Sequence, residues 1–209
     1  MASGHEQTIW NYFVDKIGNE YGVSGLMGNL QAESALIPTN VQNGFGWSDE
    51  DYTSQVDSGA YSESQFVNDS IGYGLAQWTF SSRKQALYDM YKSGGYSSIG
   101  SIDLAMDYLW YELQYSYSGV LEVLKSATSV REASDSVLHD FESPKDQSEA
   151  VEVARAALGS AFYEEFTGTG GGGGGDDSGG DEPGGISTKK RKKFNFVLFN
   201  RQRRMILHG

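Results

Sequence analysis

The sequence contains no cysteine. That excludes a disulfide framework and any thiolate metal site, so packing alone must hold the fold. Histidine is scarce. His5, His139 and His208 are far apart and lack the spacing of metal ligands. No Gly-x-Ser-x-Gly elbow occurs, and the glycine-rich stretch lacks the Gly-Lys-Ser/Thr ending of a phosphate loop. These absences argue against serine-hydrolase, metallohydrolase and nucleotide-binding chemistry. No apolar run reaches the roughly 18 residues of a membrane-spanning helix. The start, Met1-Ala2-Ser3-Gly4-His5, lacks the basic and apolar regions of a signal peptide.

Basic charge is also scarce, except at one end. The chain of 209 residues carries 16 Lys or Arg against 28 Asp or Glu, for a net charge of -12. Eight of the basic residues lie in 186–209, leaving -20 on positions 1–185. An acidic body argues against nucleic acid as a partner. What is abundant is aromatic: 13 Tyr, 10 Phe and 4 Trp. Such amphipathic rings serve a core or a carbohydrate cleft.

Periodicity predicts a mainly helical domain over residues 7–166. Ile9, Trp10, Phe13, Val14, Ile17 and Tyr21 form an apolar stripe on a first helix that Gly22 should break. Ser24 should cap a second helix running to about Ala35, ahead of Pro38. The polar stretch Thr39 to Ser70 reads as loop with at most a short hairpin. After Trp78 the pattern is helical again. Helices are expected from Ser81 or Ser82 to Lys92, from Ser101 to Gln114, over Gly119–Ser126, from Ser129 to Phe141, and from Asp146 to about Phe166.

Two further segments follow. Residues 167–185 are glycine-rich and read as a flexible linker, with 11 glycines in 168–185. Residues 186–209 form a basic tail, too short to build a core, containing Lys189-Lys190-Arg191-Lys192-Lys193. Its readings are attachment to anionic wall polymers or lipid, and a non-native end.

What remains for chemistry is carboxylate. Glu33 lies near the end of an otherwise apolar helix, in Gly28-Asn29-Leu30-Gln31-Ala32-Glu33-Ser34. A helix end holds a side chain rigidly while opening it to the following loop. A carboxyl group there suits general acid catalysis of glycosidic cleavage, where an acid must protonate the leaving oxygen. The alternative is a solvated glutamate. A second segment, Ile71-Gly72-Tyr73-Gly74-Leu75-Ala76-Gln77-Trp78-Thr79, combines glycines that permit a tight turn with Gln77 as a polar group and Trp78 as a flat apolar face. The alternative there is a glycine turn ahead of a buried tryptophan.

Together these segments resemble the lysozyme superfamily. Goose-type lysozymes and lytic transglycosylases carry a Glu-Ser pair at a helix end and a Gly-Leu-Met-Gln-Ile-like segment, here Gly74-Leu75-Ala76-Gln77-Trp78. The closer resemblance is to the phage tail lysozyme family, in "GLMGNLQAES", in "GYGLAQWT" followed by Arg83 and Leu87, and in "FESP" (Phe141 to Pro144) ahead of a helix bearing Arg155.

The resemblance implies an α+β lysozyme-like fold, mainly α, with a short hairpin or loop region walling a cleft. It implies a muramidase cleaving the MurNAc–GlcNAc β-1,4 bond of peptidoglycan, with no cofactor or metal. Glu33 is then the acid. Ser34, Tyr73, Gly74, Gln77 and Trp78 bind substrate, and Tyr108 lies in the core or the cleft. The resemblance also implies a place in a phage tail, among tail proteins, or release to the bacterial wall.

One departure concerns the second carboxylate. Hen-type lysozymes carry an aspartate before the corresponding Tyr-Gly, where this chain has Gly72. Asp69 is the nearest acid and the candidate second catalytic carboxylate, with Asp57 and Glu63 further back. A lytic transglycosylase needs only one glutamate, because the sugar's C6 hydroxyl closes an anhydro ring. That reading stays open, as does a non-catalytic wall-binding or tail-assembly module. An amidase or peptidase lacks the Cys or metal ligands such chemistry usually uses.

Overall fold

The computed structural model describes residues 4–168. The linker beyond Gly168 and the basic tail lie outside the described residues. Among the described residues there are nine α-helices and no strands. They are α1 (Glu6–Ile17), α2 (Glu20–Ser34), α3 (Asp49–Ser58), α4 (Glu63–Asn68), α5 (Ser81–Ser93), α6 (Ile102–Tyr115), α7 (Ser118–Ser126), α8 (Val130–Ser136) and α9 (Glu149–Thr167). A π-helical turn, Val137–Glu142, continues α8.

The centre of the domain is α2. It packs against α1, α7, α8, α9 and the π-helical turn. A helix surrounded on every side must be apolar or small all round. Here the small residues do the work. A Cβ on Gly22 would lie 1.9 Å from the Leu124 carbonyl oxygen of α7. One on Gly25 would lie 2.6 Å from the Ala133 Cβ of α8, and one on Gly28 2.5 Å from the Arg155 carbonyl oxygen of α9. The glycines at this three-residue spacing let α2 approach three neighbours backbone to backbone.

This packing corrects the expected helix boundaries. Gly22 does not end α1; it lies inside α2, where close approach outweighs its low helix propensity. The break falls at Gly18, at φ 72°. Asn19 caps α2, accepting from the Tyr21 N–H at 3.0 Å, and Ser24 is buried within the helix rather than capping it.

The expected loop Thr39–Ser70 also needs correction, because it contains α3 and α4. Each is short and buries few large side chains: Tyr52 and Val56 on α3, Phe66 and Val67 on α4. Their start signals are caps rather than stripes. Ser48 accepts from the Asp51 N–H at 3.0 Å, and Ser62 forms a reciprocal capping box with Gln65. The turn before α5 is held by isolated bridges between Val41 and Tyr73 and between Tyr73 and Trp78. It resembles a hairpin in hydrogen bonding without forming strands.

Candidate active site

The last turn of α2 carries Glu33 and Ser34, and the chain leaves it abruptly. Ala35 and Leu36 are both left-handed, at φ 55° and 58°. Two consecutive non-glycine residues in this region cost conformational energy. Burial of Leu36 and the Ser34 hydroxyl hold the bend. That hydroxyl donates to the Leu75 carbonyl at 2.8 Å, with the Leu30 carbonyl at 3.1 Å. Ser34 is itself 3% exposed. It therefore joins the helix end to the Gly74–Trp78 turn.

The Glu33 side chain is 18% exposed, so it is partly sunk yet reaches solvent. Its Oε1 accepts from Nη2 of Arg155, on α9. Nη1 of the same arginine donates to Oε2 of Glu142, the last residue of the π-helical turn. Nη1 also lies 3.2 Å from Oδ1 of Asn29, one helical turn before Glu33. Asn29 is oriented in turn, because its Nδ2 donates to the Gly25 and Ser134 carbonyls at 2.9 and 3.0 Å. Three elements, α2, α9 and the π-helical turn, thus meet at one guanidinium.

Glu142 is the most deeply placed acid of this group, with its side chain 4% exposed. Burial pushes its carboxyl well above the ordinary 4.5, and the neighbouring Glu33 charge adds to the rise. Arg155 and Arg83 oppose it. Arg83 is matched by Glu112, whose two oxygens accept from its Nε at 2.6 Å and its Nη2 at 2.8 Å. Glu112 Oε2 also takes the Trp78 indole N–H at 2.7 Å.

The residues expected to bind substrate are mostly packed away. Tyr73 and Trp78 are 0% and 1% exposed. The Tyr73 hydroxyl pairs with Thr53 at 2.8 Å. Gly74 is buried at φ 77°, with Trp78 against the position its Cβ would take. Gln77 is partly exposed, but its amide nitrogen is taken by Asn40 and Gly74. Tyr108 is a core residue whose hydroxyl donates to the Arg83 carbonyl at 2.8 Å. In this structure the turn acts as a braced support beside Glu33.

Asp69 is also engaged elsewhere. Its oxygens accept from Lys84 Nζ at 2.6 Å, the Tyr52 hydroxyl at 2.5 Å, the Ile71 N–H at 2.8 Å and the Tyr61 hydroxyl at 3.3 Å. Both side chains of the ion pair are buried, at 6% and 0% exposure. Burial lowers the Lys84 pKa, and the Asp69 pairing opposes that effect. Asp57 accepts from Ser98 and Ile99, and Glu63 from Gln85. All three acids thus have hydrogen-bond partners within the fold.

Glu142 escaped notice in the sequence. It stands inside the FESP segment, but no helical stripe leads to it. Arg155 was visible only as part of the family resemblance. Phe80, Tyr111 and Tyr115 are exposed aromatics outside both motifs. Tyr111 and Tyr115 are four residues apart on α6, with ring centroids 4.8 Å apart.

In this mainly helical domain, a partly sunk carboxyl at a helix end is held by an arginine that also holds a second carboxyl. Residues 5–166 match the phage tail lysozyme family, and the chain belongs to that family. No match is found among curated proteins. Membership carries a lysozyme-like, peptidoglycan-lytic function with peptidoglycan as substrate. No helix among the described residues is long and apolar enough to cross a membrane.

Proposed function

We propose that the chain is a glycosidase that cleaves the MurNAc–GlcNAc β-1,4 bond of peptidoglycan, with Glu33 as general acid. The observation that supports this reading is the placement of Glu33. It is the member of the Glu33–Arg155–Glu142 group that reaches solvent, at 18% side-chain exposure against 9% and 4%. A general acid must be held rigidly, touch substrate and keep its proton near neutral pH.

A second reading is favoured by one observation: Asp69, the second carboxylate expected from the sequence, is spent on Lys84 and two tyrosines. A lytic transglycosylase needs no second carboxylate, because the C6 hydroxyl of MurNAc attacks the same carbon that water would. Mass spectrometry of a purified-wall digest separates the two. Reducing-end MurNAc marks hydrolysis, and 1,6-anhydro-MurNAc marks transglycosylation. Clearing of walls by the purified protein alone excludes a purely binding or tail-assembly module. The site of action is the bacterial wall, reached from the virion tail or after release, and immunodetection in purified virions tests the tail assignment.

A further inference from the structure

The general-acid reading leaves one buried ionisable group without a task. Glu142 Oε2 is satisfied by Arg155, but Oε1 is buried with no hydrogen-bond partner. A buried carboxylate oxygen without a donor is costly. Arg155 holds the Glu33 and Glu142 carboxyls side by side, on its two terminal nitrogens. If both are ionised, the two carboxylates repel each other across one guanidinium. A proton on either removes that repulsion.

Charge counting leads to the same state. From α9, Arg155 brings one positive charge to Glu33 on α2 and Glu142 on the π-helical turn. From α5, Arg83 faces Glu142 as well, but Glu112 of α6 neutralises it. On α7, Glu122 and Lys125 are exposed. On α8, Arg131 pairs with Asp135 and with Glu149 and Glu152 of α9, and Glu132 turns back to cap Thr128. His139, on the turn itself, faces Glu152 and Gln147. None of these supplies a second free cation to the pair. Two ionised carboxylates would leave one buried negative charge in excess; one proton makes the site neutral.

We propose that Glu142 is a positioning residue for Glu33, fixing its carboxyl through Arg155, and that the two carboxyls share one proton. This rests on the reading of Glu33 as the acid. With the proton on Glu33, Glu142 is the carboxylate that balances Arg155. Glu33 then passes the proton to the glycosidic oxygen as the bond from that oxygen to the anomeric carbon breaks. The bonding pair stays on the oxygen, and the positive charge develops on the sugar. At that moment the Glu33–Arg155–Glu142 group carries net charge -1, opposite in sign to the oxocarbenium. Attack by water or by the C6 hydroxyl releases a proton, which returns to Glu33.

The test is the pH profile of wall lysis for the full chain, for Glu142→Gln and for Glu33→Gln. Without the Glu142 charge, nothing opposes ionisation beside Arg155. The alkaline limb of Glu142→Gln should therefore move down by about one pH unit or more. A structural role would lower activity without moving the limb, and a superimposable profile overturns the proposal. Should Glu142→Gln fail to fold, carbon-13 NMR titration of the unaltered protein decides. A shared proton makes both carboxyl resonances respond in two common steps; independent single-step titrations overturn it. Glu33→Gln keeps the two ideas apart. Normal lysis by that variant removes the acid reading while the NMR result still stands or falls alone.

Discussion

Arg155 binds Glu33 with one terminal nitrogen and Glu142 with the other. That fork joins the helix end carrying Glu33 to the π-helical turn, and its aim is set by Asn29. A planar guanidinium can make both contacts at once, whereas a lysine ammonium offers no such fork.

Arg155→Met should therefore cost more than a lost surface pair. Arg155 is 8% exposed, and its removal leaves two carboxyls facing each other without a cation. Breaking a buried pair by deleting one partner costs about 3–5 kcal/mol. Urea denaturation near neutral pH should show a loss of that order, shrinking as acid protonates the carboxyls. A change below about 1 kcal/mol would mean the fork has little structural weight.

Stability should also carry the signature of Glu142. Its carboxyl is raised above the ordinary 4.5 in the folded state. Between that value and its folded value, the native state binds more protons than the unfolded chain. Its contribution to stability is then present below the unfolded pKa and lost as pH rises through the folded one. Denaturation midpoints of the wild type relative to Glu142→Gln should therefore fall with rising pH above about 4.5. Parallel curves would contradict the assigned shift.

Asp69 should behave as a structural residue. Its partner Lys84 is fully buried, so Asp69→Asn leaves an ammonium without its counter-charge. The variant should lose about 3–5 kcal/mol of stability. Lysis per folded molecule, measured at a temperature where the variant stays folded, should be close to wild type. A fully folded but inactive Asp69→Asn protein would return Asp69 to the catalytic machinery.

Gly28→Ala tests the packing beneath the site. The added Cβ would meet the Arg155 carbonyl oxygen and the Gly159 nitrogen, each at 2.5 Å. Both are backbone atoms, so α9 must move and Arg155 with it. Thermal denaturation should show a loss toward or beyond the upper end of the usual 1–3 kcal/mol for overpacking, with a parallel fall in lysis.

Much of this was legible in the sequence, where a local pattern determines the structure. The stripe Ile9, Trp10, Phe13, Ile17 is buried on α1, and Ser129 caps α8 by accepting from the Glu132 N–H at 3.2 Å. The mainly helical fold and the family were readable from such signals together with the two motifs. Tertiary context misled the rest. Gly22 looks like a breaker unless α7 is known to lie against it. Tyr73 and Trp78 look like sugar platforms until Thr53 and Glu112 are seen to hold them. Asp69 is near in sequence, but its ion-pair partner Lys84 is on α5 and gives no local signal. Glu142 and Glu33 share Arg155 only through the packing of α2, α9 and the π-helical turn, and no spacing rule connects them.

The most direct measurement is wall lysis by Glu33→Gln beside its circular dichroism and melting temperature. The substitution keeps the shape of the side chain and a donor for hydrogen bonding but removes the transferable proton. The expected result is a folded protein whose lysis falls by about 10²–10⁴-fold, the usual contribution of a general acid. A folded Glu33→Gln protein that clears walls at the wild-type rate would contradict the central claim.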